Sequence, residues 1–136
     1  MQIESTAPLG HTGRMPVHHL AVLASDLAAS ERFYCELFGL SVLRRWHHDD
    51  GRHRSTWLAL GPGAFLALER ATPGSTPRDD AAVGWHFVAF TVTAAERAHF
   101  RERASELGIS IERETEHTTY VRDPDGALVG VSTYPL

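Results

Sequence analysis

A strand, a helix and a terminating glycine follow one another twice in this chain, and that repetition restricts it to a fold of two linked modules. The first copy is Val17 to Gly39, VHHLAVLASDLAASERFYCELFG. Val17 to Ala24 is predicted as a strand. Asp26 stands where a side-chain oxygen can accept hydrogen bonds from the free N–H groups of a helix start. Leu27, Ser30, Phe33, Tyr34, Leu37 and Phe38 recur at helical spacing and predict a buried stripe over Asp26 to Phe38. Gly39 can adopt the left-handed conformation that stops a helix. Trp85 to Gly108 repeats the pattern, with a strand over Gly84 to Val92 and a helix to Leu107. Thr93, three residues before Glu96, forms a capping-box sequence at that helix start. Phe33 corresponds to Phe100, Gly39 to Gly108, and Gly63-Ala64-Phe65-Leu66 to Gly126-Ala127-Leu128-Val129.

Each copy is followed by three further strand patterns. In the first half these are Leu40 to His48, His53 to Leu60 and Ala64 to Glu69, punctuated by Asp49-Asp50-Gly51 and Gly61-Pro62-Gly63. In the second they are Ile109 to Glu114, Thr118 to Arg122 and Leu128 to Thr133. Asp123-Pro124-Asp125-Gly126 makes the turn between the last two: proline fixes φ and glycine accepts positive φ. The expected fold class is α+β, two βαβββ modules. Modules 17–70 and 83–136 join through linker 71–82, rich in proline, glycine and serine, to make a single domain, 17–136. Residues 1–16 read as a flexible N-terminal arm that includes His11. One face of each sheet rests on its helix. The other face pairs with the other module's sheet, and two curved sheets side by side enclose a central, ligand-sized cavity.

Composition removes several function classes. The formal charge is -4 and no basic tract occurs, which argues against nucleic acid as a partner. No stretch is long and apolar enough to cross a bilayer, and the N-terminal residues lack a signal-peptide pattern, so a soluble cytoplasmic protein is expected. The single cysteine, Cys35, excludes an intrachain disulfide and a thiolate metal cluster. It sits beside the helix stripe, as an unreactive thiol. No nucleophile motif or phosphate-cradling glycine loop occurs.

His19-Leu20-Ala21-Val22, Asp26 to Ser30, Phe33-Tyr34, Leu37-Phe38-Gly39 and Asp123-Pro124-Asp125-Gly126 stand in an order that resembles the vicinal oxygen chelate superfamily. That group contains glyoxalase I, fosfomycin-resistance proteins, extradiol dioxygenases and bleomycin-resistance proteins, and the resemblance covers Val17 to Thr133. It implies the fold with two βαβββ modules around a central cavity. It also implies a divalent metal such as zinc, nickel, manganese or iron, held by a first-strand histidine, a fourth-strand carboxylate, a fifth-strand histidine and an eighth-strand glutamate. Imidazole and carboxylate suit such ions, and open positions let a substrate chelate them. In this chain the first position is His19. The fourth-strand position is Ala67 and the eighth-strand position Gly130, neither of which can ligate through a side chain. The fifth-strand position falls on Phe87 when Ala89-Phe90 is matched to Ala21-Val22, and strand parity supports that match. A bulge would instead turn His86 inward.

A displaced metal site of His19, His86 and Glu69 is the alternative. His47, His48 and His53 flank a hairpin beside Asp49 and Asp50 and read as a polar tip. His99 reads as a surface residue and His117 as a loop residue. The candidate pocket comprises His19, Trp46, Trp57, Phe65, Ala67, Glu69, Phe87, Tyr120 and Gly130. His19 is a hydrogen-bonding group or a general base there. Three function classes follow, the last being a structural or regulatory partner protein. One is a metal-free binder of an aromatic or cationic organic molecule, resembling bleomycin-resistance proteins and using no cofactor. Another is an enzyme, either a metal-dependent lyase or dioxygenase with displaced ligands or a metal-free isomerase or cyclase using His19. A homodimer is expected from the resemblance and from open strand edges.

Overall fold

The computed structural model describes residues 14–136. The arm expected over residues 1–16, His11 included, lies almost wholly outside the described residues. The first module contains β1 (His19–Ala24), α1 (Leu27–Phe38), β2 (Val42–His47), β3 (His53–Gly61) and β4 (Ala64–Arg70). The second contains β5 (Val88–Thr91), α2 (Ala94–Glu106), β6 (Arg113–Glu114), β7 (Thr118–Arg122) and β8 (Leu128–Ser132). The modules form two four-stranded sheets of identical plan, β1-β4-β3-β2 and β5-β8-β7-β6. The first strand in each is parallel to its neighbour, and the other pairings are antiparallel. A strand-to-parallel-strand return needs a crossover, which α1 and α2 begin.

Local chemistry sets the helix ends. Asp26 accepts a hydrogen bond from the Ala29 N–H at 3.1 Å, and Gly39 closes α1 at φ 70°. Thr93 and Glu96 complete the reciprocal capping box on α2. The predicted stripe of α1 is buried at Leu27, Ser30, Phe33, Tyr34 and Leu37. These side chains share one core with Leu58, Leu66 and Leu68 of the first sheet and with Phe100, Ala104, Val121, Val129 and Val131 of the second module. Cys35 packs at its edge, where burial first and Glu31 second push the thiol upward.

Two strands are shorter than their sequence pattern. Gly84 to Phe87 is not strand, because the ladder with β8 starts at Val88 opposite Val129, and the chain preceding β8 is the 123–127 turn. Ile109 and Ile111 pack on the core instead of extending β6, which pairs with β7 only at Arg113 and Glu114. Arg97 of α2, only 7% exposed, holds that corner. It donates to Thr119 Oγ1 (2.9 Å), the Glu116 carbonyl (2.7 Å), the Thr115 carbonyl (2.9 Å) and Glu114 Oε2 (3.2 Å). A buried guanidinium needs that many acceptors to offset its lost water.

Candidate functional site

Strand alternation separates two rows on β1. Leu20, Val22 and Ala24 turn toward the helices, while His19, Ala21 and Leu23 face away and are exposed. On β5, Phe90 packs on the core and Ala89 and Thr91 are exposed. A cavity of about 440 Å³ lies where the modules meet, within the usual range for small-molecule sites. Its walls include His19 and Ala21 of β1, Tyr34 and Leu66, Phe87 and Val88, and Leu128. A larger cleft of about 610 Å³ opens between the ends of α1 and α2 around Phe38, Phe90 and His99, and none of the candidate pocket residues lines it.

From His19 an unbroken series of rings crosses all four strands of the first sheet. His19 stacks on Phe65 with centroids 4.8 Å apart and planes 5° apart. Phe65 stacks on Trp57 at 4.2 Å, and Trp57 meets Trp46 edge-on at 5.3 Å. With strands about 4.8 Å apart, such a strip spans roughly 14 Å, the length of a fused-ring molecule. In the second module Phe87 meets Tyr120 edge-on at 5.0 Å. His18, which precedes β1, joins the series: its Nδ1 lies 2.8 Å from His19 Nδ1. One of these nitrogens must carry the hydrogen and the other accept it, which leaves Nε2 as the unengaged nitrogen of His19.

Arginines border these rings. The Arg44 guanidinium carbon stands 3.7 Å from the centroid of the Trp46 ring, and that of Arg54 is 5.9 Å from it. Arg113 stands 4.6 Å above Tyr120. The two modules match here, since Arg44 pairs with Trp57 across β2 and β3 just as Arg113 pairs with Tyr120 across β6 and β7. None of the three was singled out from the sequence. A register shift between Val42 and Arg44 explains the first. Val42 packs on the core and Arg45 reaches Glu31 of α1 at 2.8 Å, so simple alternation from Val42 puts Arg44 and Trp46 on the wrong face. Trp46 Nε1 is buried and has no hydrogen-bond acceptor among the described residues. The expectation of a cationic ligand conflicts with this charge arrangement: three guanidiniums lie against the rings, while Glu69 is the one pocket candidate bearing a negative charge.

The comparisons with known proteins agree with this architecture. The family model described as the Glyoxalase/Bleomycin resistance protein/Dioxygenase superfamily matches residues 17–131. The chain belongs to that superfamily. A curated protein named YaeR, from Escherichia coli (strain K12), is 28% identical over 122 residues, spanning 84% of this chain and 92% of that one. The crystal structure of a lactoylglutathione lyase from Agrobacterium tumefaciens superimposes with a TM-score of 0.66 at 27% identity, covering 88% of this chain and 93% of the other. A glyoxalase/dioxygenase from Nostoc punctiforme superimposes with a TM-score of 0.74 at 22% identity, covering 99% and 100% respectively, and shows likeness of fold.

The metal that this superfamily implies does not fit the residues present. On the alignment that the resemblance implies, its four ligand positions fall on His19, Ala67, Phe87 and Gly130, a donor set of one imidazole. The eighth-strand position is also sterically closed. A Cβ at Gly130 would lie 2.9 Å from the Thr119 carbonyl oxygen and 3.2 Å from the Tyr120 ring. The displaced set does not assemble either. Glu69 lies opposite Leu23, four residues along the sheet from the His19–Phe65 pair, or about 13 Å at ~3.3 Å per residue. His86 is exposed near Asp80, whose carboxyl is held low chiefly by Arg122 and to a smaller extent by His86. Among the described residues no three His, Cys, Asp or Glu side chains are grouped to hold a metal ion.

Of the predicted pocket residues, His19 and Phe87 line the cavity. Phe65, Trp57 and Trp46 continue from it as the aromatic strip, and Tyr120 stands against Phe87. Ala67, 2% exposed, is buried beside Trp57, and Gly130 beside Tyr120. Glu69 stays exposed at a strand end. The hairpin histidines remain apart from this site: His47 and His53 stack at 5.2 Å, and His53 Nε2 engages Thr56 Oγ1 at 2.7 Å.

Proposed function

We propose that this protein binds a flat aromatic organic molecule without a metal, between the His19 end of the first sheet and the Phe87 side of the second. One observation carries this reading: His19, Phe65, Trp57 and Trp46 form a continuous ring series. Apolar burial and ring stacking supply the affinity, at about 25 cal/mol per Å² before ordering costs. His19 Nε2 supplies one directional hydrogen bond. Titration of the intrinsic tryptophan fluorescence with 2-naphthol tests the reading. Saturable quenching is expected, with affinity falling about tenfold, or ~1.4 kcal/mol, in Trp57→Ala. Quenching that is linear in 2-naphthol, or unaltered by Trp57→Ala, refutes it.

A second reading is a metal-free isomerase or cyclase with His19 as general base. The 2.8 Å contact with His18 favours it, because it orients the ring and, in the tautomer in which His19 Nδ1 donates to His18, leaves Nε2 to take a proton. Turnover of a bound ligand, abolished by His19→Gln with binding retained, separates enzyme from binder. The working unit in either case is proposed to be a homodimer.

A further inference from the structure

Resting on the aromatic-ligand reading above, we infer that the ligand carries a carboxylate or an equivalent planar acid group, received by Arg44 at the Trp46 end of the strip. Five of the protein's other guanidiniums are engaged by carboxylates. Arg45 pairs with Glu31, Arg52 with Asp50, Arg97 and Arg101 with Glu114, and Arg122 with Asp80 and Glu112. Among the described residues Arg44 has no carboxylate partner, and it lies against an indole on an exposed edge strand. A guanidinium over a ring keeps N–H edges available, and their fork geometry matches a carboxylate held by two parallel hydrogen bonds. Arg54, the second cation near Trp46, adds to the same potential.

The indole supplies an independent observation. Trp46 Nε1 is a buried donor without an acceptor, a state that folded proteins seldom tolerate unless something else completes it. An acid group drawing Arg44 off the ring brings an acceptor oxygen to that N–H. One ligand group thereby answers both the unpaired cation and the unpaired donor. The aromatic body of the same ligand then lies along Trp57 and Phe65 toward His19. Attraction persists despite the formal charge of -4, because the charges nearest the acid group are the guanidiniums beside it.

The test is a titration of the full chain with three probes of nearly equal shape: 2-naphthoate, naphthalene-2-carboxamide and (naphthalen-2-yl)methylammonium. The acid should bind at least tenfold tighter than the amide and tighter still than the cation, with added salt eroding the difference. Arg44→Gln should reduce the acid-over-amide ratio below about threefold while leaving the amide's affinity unchanged, and Arg44→Lys should restore part of it. Arg45→Gln, on the same strand but paired with α1, should leave the ratio intact. If the three probes bind equally, or the ratio survives Arg44→Gln, the acid inference is overturned and the aromatic reading stands. If no probe binds, both fall together.

Discussion

A Cβ at position 130 would sit 2.9 Å from a backbone oxygen, a separation that Cβ atoms do not tolerate. The backbone of β7 is held by its ladder with β8 on one side and by β6 on the other, so Thr119 has little room to retreat. Gly130→Ala should therefore cost about 1–3 kcal/mol, the usual range for overpacking. Urea denaturation checks this, and an unchanged midpoint refutes it. The nearest contact is backbone and not the Tyr120 ring. A Tyr120→Ala background should accordingly fail to rescue Gly130→Ala. The glycine and the tyrosine thus form a unit: without a side chain at 130, the Tyr120 ring lies close to β8 and reaches Phe87.

At the scale of elements, the 123–126 turn does more than reverse the chain. Asp125 accepts from the Ser25 N–H at 3.0 Å and from the Ser25 hydroxyl, clasping the end of β1. Asp123, 5% exposed, accepts the Tyr34 hydroxyl of α1 at 2.9 Å and the Asp125 and Ala127 N–H groups at 2.9 Å each. One turn of the second module therefore holds both a strand and a helix of the first. Burial pushes the Tyr34 hydroxyl far up, with Asp123 adding to it, so it stays a neutral donor. Burial also pushes the Asp123 carboxyl above its ordinary value, against the opposing hydrogen bonds from Ala127, Tyr34 and Asp125. A carboxyl raised in the folded state favours folding below the unfolded value, and that contribution is lost as pH rises through the folded value. The Tyr34 bond favours the ionised form, so it matters most above the folded value. Tyr34→Phe should cost roughly 1.5–3 kcal/mol above the folded value of Asp123, the range for a bond to a charged group, and less as the pH falls through it. Urea melts at a series of pH values would show this, and a pH-independent cost would sink it.

For the whole molecule, the open sheet faces are the unresolved surface. Leu23, 62% exposed, and Phe87, 38% exposed, lie on the rows turned away from the helices, and Trp85 beside them is 90% exposed. Exposed apolar side chains on these rows suit a covering partner, and a second copy presents the same complementary rows under two-fold symmetry. Sedimentation equilibrium at micromolar concentration should give twice the chain mass of 15.0 kDa, and Leu23→Glu should shift the protein toward monomer. A monomer at that concentration would exclude this assembly. Among the described residues no helix is long and apolar enough to cross a membrane.

The element order, both helix caps and the buried stripe of α1 were legible in the chain itself, because each depends on neighbours a few residues away. Phe87 lines the cavity from just before β5, so its direction follows from the path of the 84–87 segment and not from strand alternation. Trp46 was among the pocket candidates and Arg44 was not; an irregularity in the pairing of β2 with β3 sets the face they share. No local pattern encodes that shift, since it exists only once the two strands are paired. The same holds for the Asp123–Tyr34 clasp, whose partners are 89 residues apart, and for Arg97, whose acceptors lie on a distant hairpin. Local chemistry determined which elements form. Only the packing of the two modules decided which charges stand beside the rings of the site.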